Sequence, residues 1–546
     1  MVQNPPEADG KRFLVLFSSW KQLDPGTDRN HHVFILAQVQ RRNELRRFTN
    51  LDLGTQSDLV WLNPTKLEPS PVDRVNIANV QVNHLQGVIR MTIPHLLNDL
   101  EMQKFIRDGY VSVKVDLPSS FHDALYEKTE KMFSSVGNPG NNLLPRLPEI
   151  QQVFSDPTVH GAMVSILGPD YYLHPHRHCH ENTPDSGEQG MHKDSLHNSR
   201  FAVDDNHRHH HTRWAMAFYY PQDSWVEIGP TAIWPRSQYF NTQPPLERSD
   251  ELALVGEAGT VAIVNYDVFH RKMLNQSEKT RYMMKFLFTR MSEPTYPSWN
   301  YQGTEWQESD DVQEQTWQYI WNWHLGHRNG SGQHATSETV PELTNLIGSD
   351  QEAVGIEAAY KLGRLGQQGL EPLIDATTGG DPVACRNAIY GFSHMGQEVV
   401  PSLIELLSHD QVDVRVRAAD TLGDLGLQAK SSLPALFDKL SDQDDKVRHH
   451  AAEAMGTIAP DDDTAVEPLT KALTDEVDLV RRNAALSLAR IGRHATQAVP
   501  ALTLALKDSN HFVRAFSVHA LERNGTPEAT ATLLEHLRTV RWCPSH

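Results

Sequence analysis

The sequence predicts a multidomain chain, with a β-sandwich or jelly roll followed by an all-α solenoid. Two patterns carry this expectation. Between residues 100 and 300, short β-like runs such as "RWAMAFYYPQD", "GTVAIVNYDVFH" and "TRYMMKFLFTR" alternate with turn residues, as in antiparallel all-β layers. Further on, Val-Arg recurs at a spacing of 33 in Val414-Arg415, Val447-Arg448, Val480-Arg481 and Val513-Arg514, and a fixed period of this size marks a repeat architecture.

Composition narrows the class. A length of 546 residues with 39% hydrophobic and 22% charged residues describes a globular chain, long enough for about three or four domains. With 50 Lys+Arg against 69 Asp+Glu, the net charge of −19 argues against nucleic acid or an anionic membrane as a partner. No apolar stretch approaches the ~20 residues of a membrane span, and the run Phe13–Phe17 is too short for a signal-peptide core. Three scattered cysteines, Cys179, Cys385 and Cys543, give neither a disulfide framework nor a CxxC zinc site. A cytoplasmic location is expected. Of 29 histidines, ten fall between His174 and His211.

In chain order, residues 1–94 contain the apolar runs "FLVLF" and "VFILA" and are expected to form a small β-rich extension of unknown role. Residues 95–300 open with the helix-like "LNDLEMQKFIRDGYVSV" and "SFHDALYEKTEKMF", add a helix at 158–167, and continue as the short strands. Residues 301–345 hold an amphipathic helix with Trp317, Trp321 and Trp323, ending at Gly326 before a polar linker. An aromatic stripe of this kind more often docks a helix than cages a ligand. Residues 346–546 hold about six repeats, each read as two helices. In "VRVRAADTLGDLG" the apolar residues follow a 3.6-residue period. A Gly such as Gly426 or Gly492 can end the first helix in a left-handed conformation. Pro372, Pro401, Pro434, Pro468 and Pro500 are placed to open the second. No pair could bury its own apolar face, so the copies must stack. The pattern resembles HEAT repeats. The run Asp461-Asp462-Asp463 reads as a solvated cluster at a helix start.

The chemistry centres on His192-Lys193-Asp194. Alternate side chains on a strand face one way, so His192 and Asp194 share a side and Lys193 takes the other. A later histidine would complete the two-His-one-carboxylate set of non-haem iron enzymes, and His270, at the end of an apolar strand, is the candidate. Arg281, eleven residues further on, could hold a distal carboxylate in a bidentate pair. The bland alternatives are a surface HxD with an unrelated structural histidine, and a salt bridge at Arg281. Gln189 either contacts a bound ligand or, as a loop amide, bonds backbone.

With these residues in view, 95–300 resembles the phytanoyl-CoA dioxygenase family of Fe(II)/2-oxoglutarate oxygenases, through "FIRDGYVSV", "GMHKDS", "GPTAIWPRSQ" and "FHRKMLNQSEKTRYMM". The resemblance implies a double-stranded β-helix (jelly roll, α+β) core. It implies iron on His192, Asp194 and His270, and 2-oxoglutarate held by Arg281; Gln189, three residues before His192, is a separate candidate contact to 2-oxoglutarate or substrate. O2 would be the other co-substrate, and succinate and CO2 would be released as a small-molecule metabolite is hydroxylated. Asp194 implies hydroxylation or another oxidation, since related halogenases lack that carboxylate. The family's Pro-Gly-Ser-His turn reads here as Pro235-Arg236-Ser237-Gln238.

His174, His176, His178 and His180 alternate, so in a strand they share one face. They could line a substrate pocket, orient ligands, form a second metal site, or serve as hydrogen-bonded fillers of a wet cavity. The run from His207 to His211, with Arg213, is expected as a flexible, protonatable entrance loop near the active-site mouth. The rival overall reading is an interaction scaffold with a silent jelly roll, or a protein hydroxylase whose solenoid presents its substrate to the iron.

Overall fold

A computed structural model describes residues 94–196, 210–243, 247–327, 338–460 and 462–539, together with the backbone of four earlier strands. The chain divides into two compact units, 1–95 and 96–546. In the first, β1 (Phe13–Trp20) pairs antiparallel with β2 (His31–Gln38), and β3 (Gln81–Leu85) with β4 (Val88–Thr92). The second unit joins a two-sheet domain and a helical solenoid in one body.

The second unit opens with α1 (Asp99–Asp108), whose Asn98 and Glu101 form a reciprocal capping box, satisfying two otherwise orphaned backbone donors. It runs through β5 (Tyr110–Lys114), α2 (Ser119–Val136) and α3 (Pro157–Leu167) into β6 (Tyr171–Asn182). Then come β7 (Trp214–Tyr219), β8 (Thr231–Ile233), β9 (Leu252–Ala253), β10 (Thr260–Asn265), β11 (His270–Lys272) and β12 (Arg281–Arg290). They form a five-stranded antiparallel sheet in the order β5-β10-β7-β12-β6 and a three-stranded sheet β11-β8-β9. Strand periodicity divides β12 cleanly. Tyr282, Met284, Phe286 and Phe288 pack outward with Phe105, Leu125 and Met163 of the helices. Met283 and Leu287 pack inward with Met216, Phe218, Val264 and Ile233, between the sheets. Helix α4 (Glu314–His324) closes the outer layer. Its Trp317 and Trp321 are buried beside Trp299 and Trp306, so the aromatic stripe is a docking face.

After α5 (Val340–Leu346), six helix pairs follow: α6 (Glu352–Arg364) with α7 (Gln367–Thr378), α8 (Pro382–Met395) with α9 (Val400–Leu406), and α10 (Val412–Leu425) with α11 (Leu433–Lys439). The rest are α12 (Asp445–Ile458) with α13 (Val466–Ala472), α14 (Asp478–Ile491) with α15 (Val499–Ala505), and α16 (His511–Asn524) with α17 (Pro527–Thr539). Gly366, Gly396, Gly426, Gly492 and Gly525 all take positive φ at the ends of first helices, a conformation that costs a side-chain-bearing residue energy and glycine little. Proline placement differs from expectation at Pro372, which lies inside α7. Pro401, Pro434 and Pro500 sit in the first turn of their helices. Asp462 caps the next short turn through the Thr464 N–H and pairs with Lys430 at 2.6 Å. Asp461 lies outside the described residues.

The repeated Arg has a definite task. The Arg448 guanidinium forks onto Asp475 at 2.9 and 3.2 Å and donates back to the Asp442 carbonyl. Arg415 to Asp442 and Arg481 to Asp508 repeat the arrangement one copy earlier and later. Each Arg therefore ties the turn before its helix to the turn after the next one, stitching neighbouring repeats.

The solenoid also docks along the two-sheet domain. Arg213, buried, binds Glu293 at 2.8 Å and Asp424 of α10 at 2.6 Å. Tyr172 bonds Glu522, and Arg523 forks onto Asp170. His174 packs against Phe512 and Phe516 of α16. This overturns the expectation of a protonatable entrance loop at its C-terminal end: His210 and His211 are buried, and burial lowers the pKa of both. His210 stacks on Tyr390 and His211 on Trp323. His207, Arg208 and His209 lie outside the described residues. No helix among the described residues is long and apolar enough to cross a membrane.

Candidate metal site between the sheets

His192 and His270 are brought together by backbone. The His192 N–H donates to the His270 carbonyl at 3.0 Å and the His270 N–H to the His192 carbonyl at 2.9 Å. This bridge extends the short sheet by one residue and sets the imidazole rings 4.6 Å apart. Each ring has its tautomer fixed. Nδ1 of His192 lies 2.9 Å from the Gly190 carbonyl, and Nδ1 of His270 lies 3.1 Å from that of Val268. A carbonyl only accepts, so Nδ1 carries the proton and the Nε2 lone pair is turned toward Asp194. The Nε2 atoms lie 4.0 and 3.8 Å from Asp194 Oδ1. The three ligand atoms fall within 4.8 Å of one another, a spacing suited to three ligands around one divalent ion.

The electrostatics suit a cation. Burial opposes ionisation of Asp194, yet Lys285, His270 and His192 hold its carboxyl well below the usual range. Lys285 Nζ sits 2.7 Å from Oδ2, which leaves Oδ1 facing the histidines. Burial lowers the His270 pKa to about 4, keeping the ring neutral and able to donate its lone pair.

Arg281 lies four residues from Lys285, on the same face of β12, about 13 Å away along the strand. It is fully buried, and its guanidinium donates to the carbonyl of Gly229 at 2.9 and 3.1 Å and to that of His180 at 3.4 Å. Among the described residues no carboxylate pairs with it, so a buried cation faces the interior with neutral partners, an arrangement that favours an incoming anion. Tyr220 is buried beside Thr231 and within the field of Arg281. Gln189 sits apart from the triad: its N–H donates to the Lys272 carbonyl and its Oε1 accepts from the Lys272 N–H, the loop-amide alternative.

Of the alternating histidines of β6, His178 and His180 share a face, and the register breaks between Arg177 and Leu173. His180 pairs in register with Met283 and His178 with Lys285, so both look inward. Burial lowers the pKa of His176 to about 4 and also lowers those of His178 and His180, so this wall is neutral. No second cluster with metal-ligand spacing occurs among the described residues. His174 instead belongs to the solenoid contact.

The Pro-Arg-Ser-Gln turn keeps a glycine-like shape without glycine. Arg236 has φ +68°, and its side chain pairs with Asp311 at 2.9 Å and covers the Trp317 ring. Ser237 then accepts the Phe269 N–H at 3.0 Å, directly before His270. Lys285 was missed by sequence reasoning, although a lone lysine in the apolar run "RYMMKFLF" was its signal. The part played by Lys193 was also missed. It is buried and donates to the carbonyls of Gln238, at 3.2 Å, and Phe240, at 2.5 Å.

Comparison with known proteins gives a partial picture. The family model for HEAT repeats matches residues 433–502 and 466–542. No curated protein matches the sequence. Similar solved structures are non-haem oxygenases. The apo non-heme monooxygenase ThoJ is 16% identical, with TM-score 0.30, over 36% of this chain and 82% of its own. The non-heme alpha ketoglutarate dependent carbocyclase SnoK from nogalamycin biosynthesis is 15% identical, with TM-score 0.30, over 36% and 88%. HygX from Streptomyces hygroscopicus, with nickel and 2-oxoglutarate bound, is 14% identical, with TM-score 0.30, over 38% and 92%. At such scores these likenesses assign neither substrate nor activity, whereas the C-terminal region does carry HEAT repeats.

Proposed function

We propose that the chain is an Fe(II)- and 2-oxoglutarate-dependent oxygenase of the phytanoyl-CoA dioxygenase type, hydroxylating a small-molecule metabolite. On this reading the two sheets are its double-stranded β-helix. The observation that carries the proposal is the convergence of His192 Nε2, His270 Nε2 and Asp194 Oδ1 within 4.8 Å, with the buried Arg281 on the same inner face. Iron held there would supply O2 activation coupled to oxidative decarboxylation of the co-substrate. The remaining tasks belong to the chain. Arg281 binds the distal carboxylate of 2-oxoglutarate, replacing carbonyl partners with a charge-assisted pair. The Nδ1 bonds to Gly190 and Val268 hold the imidazole planes, and Lys285 restricts Asp194 to one ligating oxygen. The neutral wall of His176, His178 and His180, with Met283 and Phe218, bounds the space for a substrate and limits water. Gln189 acts through the backbone at Lys272.

Purified full-length protein given Fe(II), ascorbate and 2-oxoglutarate should form succinate, and a metabolite panel should reveal substrates that gain an oxygen. Asp194→Ala should remove stoichiometric iron binding; iron at full occupancy in that variant would sink the ligand assignment. One observation favours the silent-scaffold reading: Lys285 already supplies a cation to Asp194 at 2.7 Å. That reading expects the wild-type chain to take up no divalent metal, which the same titration decides.

A further inference from the structure

The solenoid is linked to the segments that bear the triad through a chain of largely buried polar contacts. It begins at Glu352, in the first turn of α6. This carboxylate accepts four hydrogen bonds from the loop that follows the Pro-Arg-Ser-Gln turn. Oε1 takes the Asn241 N–H at 2.7 Å and its side-chain amide at 3.0 Å, while Oε2 takes the Thr242 N–H at 2.9 Å and its hydroxyl at 2.5 Å. Position at a helix start also suits a carboxylate. A second strap lies two residues earlier. His210 Nε2 donates to the Tyr239 carbonyl at 3.2 Å, and its Nδ1 accepts from the Tyr360 hydroxyl of α6 at 2.7 Å.

The other side of the same loop faces the ligands. Carbonyls of Gln238 and Phe240 receive Lys193 Nζ, and Lys193 lies between the ligands His192 and Asp194 in sequence. Ser237 Oγ accepts the Phe269 N–H, and the Trp234 N–H donates to the Phe269 carbonyl at 2.9 Å, fixing the residue before His270. The loop thus bears on both ligand segments from within while α6 grips it from without.

We propose that Glu352, with Tyr360, is a positioning residue of the metal site, and that the solenoid completes the oxygenase domain. This rests on the metal-site reading above. A buried carboxylate with four donors from two adjacent residues fixes the loop backbone, and the loop fixes Lys193. Loss of the grip should leave the ligands present but less well aligned, which costs metal affinity as loss of outer contacts to a ligand shell does.

The experiment is Co(II) titration of the full-length chain without 2-oxoglutarate, reading affinity and the visible ligand-field spectrum beside thermal stability. Wild type should bind one Co(II). Glu352→Gln should weaken binding about tenfold and shift the spectrum, with Lys193→Met at least as damaging and Tyr360→Phe milder in the same direction. Asp170→Asn, at the separate contact with Arg523, should lower the melting temperature while leaving affinity and spectrum as in wild type. If Glu352→Gln, Tyr360→Phe and Lys193→Met lower only the melting temperature, the inference is overturned. A wild-type chain that takes up no Co(II) overturns the metal site itself, and this inference with it.

Discussion

Arg236 and Arg281 are cations in opposite situations. Arg236 sits on a strained turn, and its positive φ is offset by the Asp311 pair and the Trp317 ring. Substitution separates the two effects: Arg236→Ala keeps the strain and loses the partners, whereas Arg236→Gly relieves the strain while losing them. Thermal denaturation should place the Ala variant about 1 kcal/mol below the Gly variant; equal stabilities would deny the strain. Arg281 is buried with no carboxylate partner among the described residues, and on the proposed reading it receives one from the co-substrate. Arg281→Gln should therefore weaken 2-oxoglutarate binding by at least about a hundredfold, the loss of one buried charge-assisted pair, while Co(II) affinity stays close to wild type. A variant that binds both as before would reduce Arg281 to a structural residue. HxD, the later histidine and the arginine were legible in sequence as residue types at characteristic spacings, although Asp194 opens a short 3-10 turn (Asp194–Leu196) and not the strand that alternation assumed. Lys285 was hidden because a lysine within an apolar strand has no assignable partner until the strands are paired.

Among the elements, the helices at the junction carry a pH dependence of their own. Glu357 of α6 is buried against the start of α4, where burial pushes its pKa up from 4.5 to about 8. Between those values the folded chain holds a proton that the unfolded chain has released. This contribution to stability is therefore full below about pH 4.5 and is lost as pH rises through about 8. Glu357→Gln should melt higher than wild type above pH 8, with the gap closing toward pH 4.5; a gap independent of pH would refute the assignment. In the repeats, Arg448 is mostly buried and bonded to turns on both sides. Arg448→Ala should cost about 2–3 kcal/mol by chemical denaturation, far more than an exposed pair such as Lys471–Glu467. The Val-Arg period was visible in sequence, whereas the reason for the Arg was not, since its carboxylate partner lies 27 residues away in the next copy. Pro372 illustrates the reverse limit: a shared sequence frame placed it at a helix start, but α7 begins earlier, directly after Gly366.

For the whole molecule, the solenoid and the two-sheet domain share a buried interface with ionic links at Arg213–Glu293–Asp424 and at Arg523–Asp170. Removing residues 338–546 would uncover Arg213, Met291 and His174 and leave the Asn241 loop without its clamp. The truncated chain should aggregate or melt far below the intact protein, and residues 96–546 should unfold in a single calorimetric transition. Two well-separated transitions would show independent domains instead.

Sequence by itself determined which segments become strands and which become stacked helices, because hydrophobic period and turn residues act locally. It also supplied the histidines, the carboxylate and the arginine of the candidate site, because their residue types and order are written locally, whereas the turn that carries Asp194 (Asp194–Leu196) was not. Tertiary structure alone decided that Asp194 is shared with Lys285, that His210, His211 and Arg213 are buried at an interface, and that Glu352 grips the loop that receives Lys193. Each of these pairings joins residues from elements distant in sequence, and no local periodicity encodes which buried donor will meet which buried acceptor.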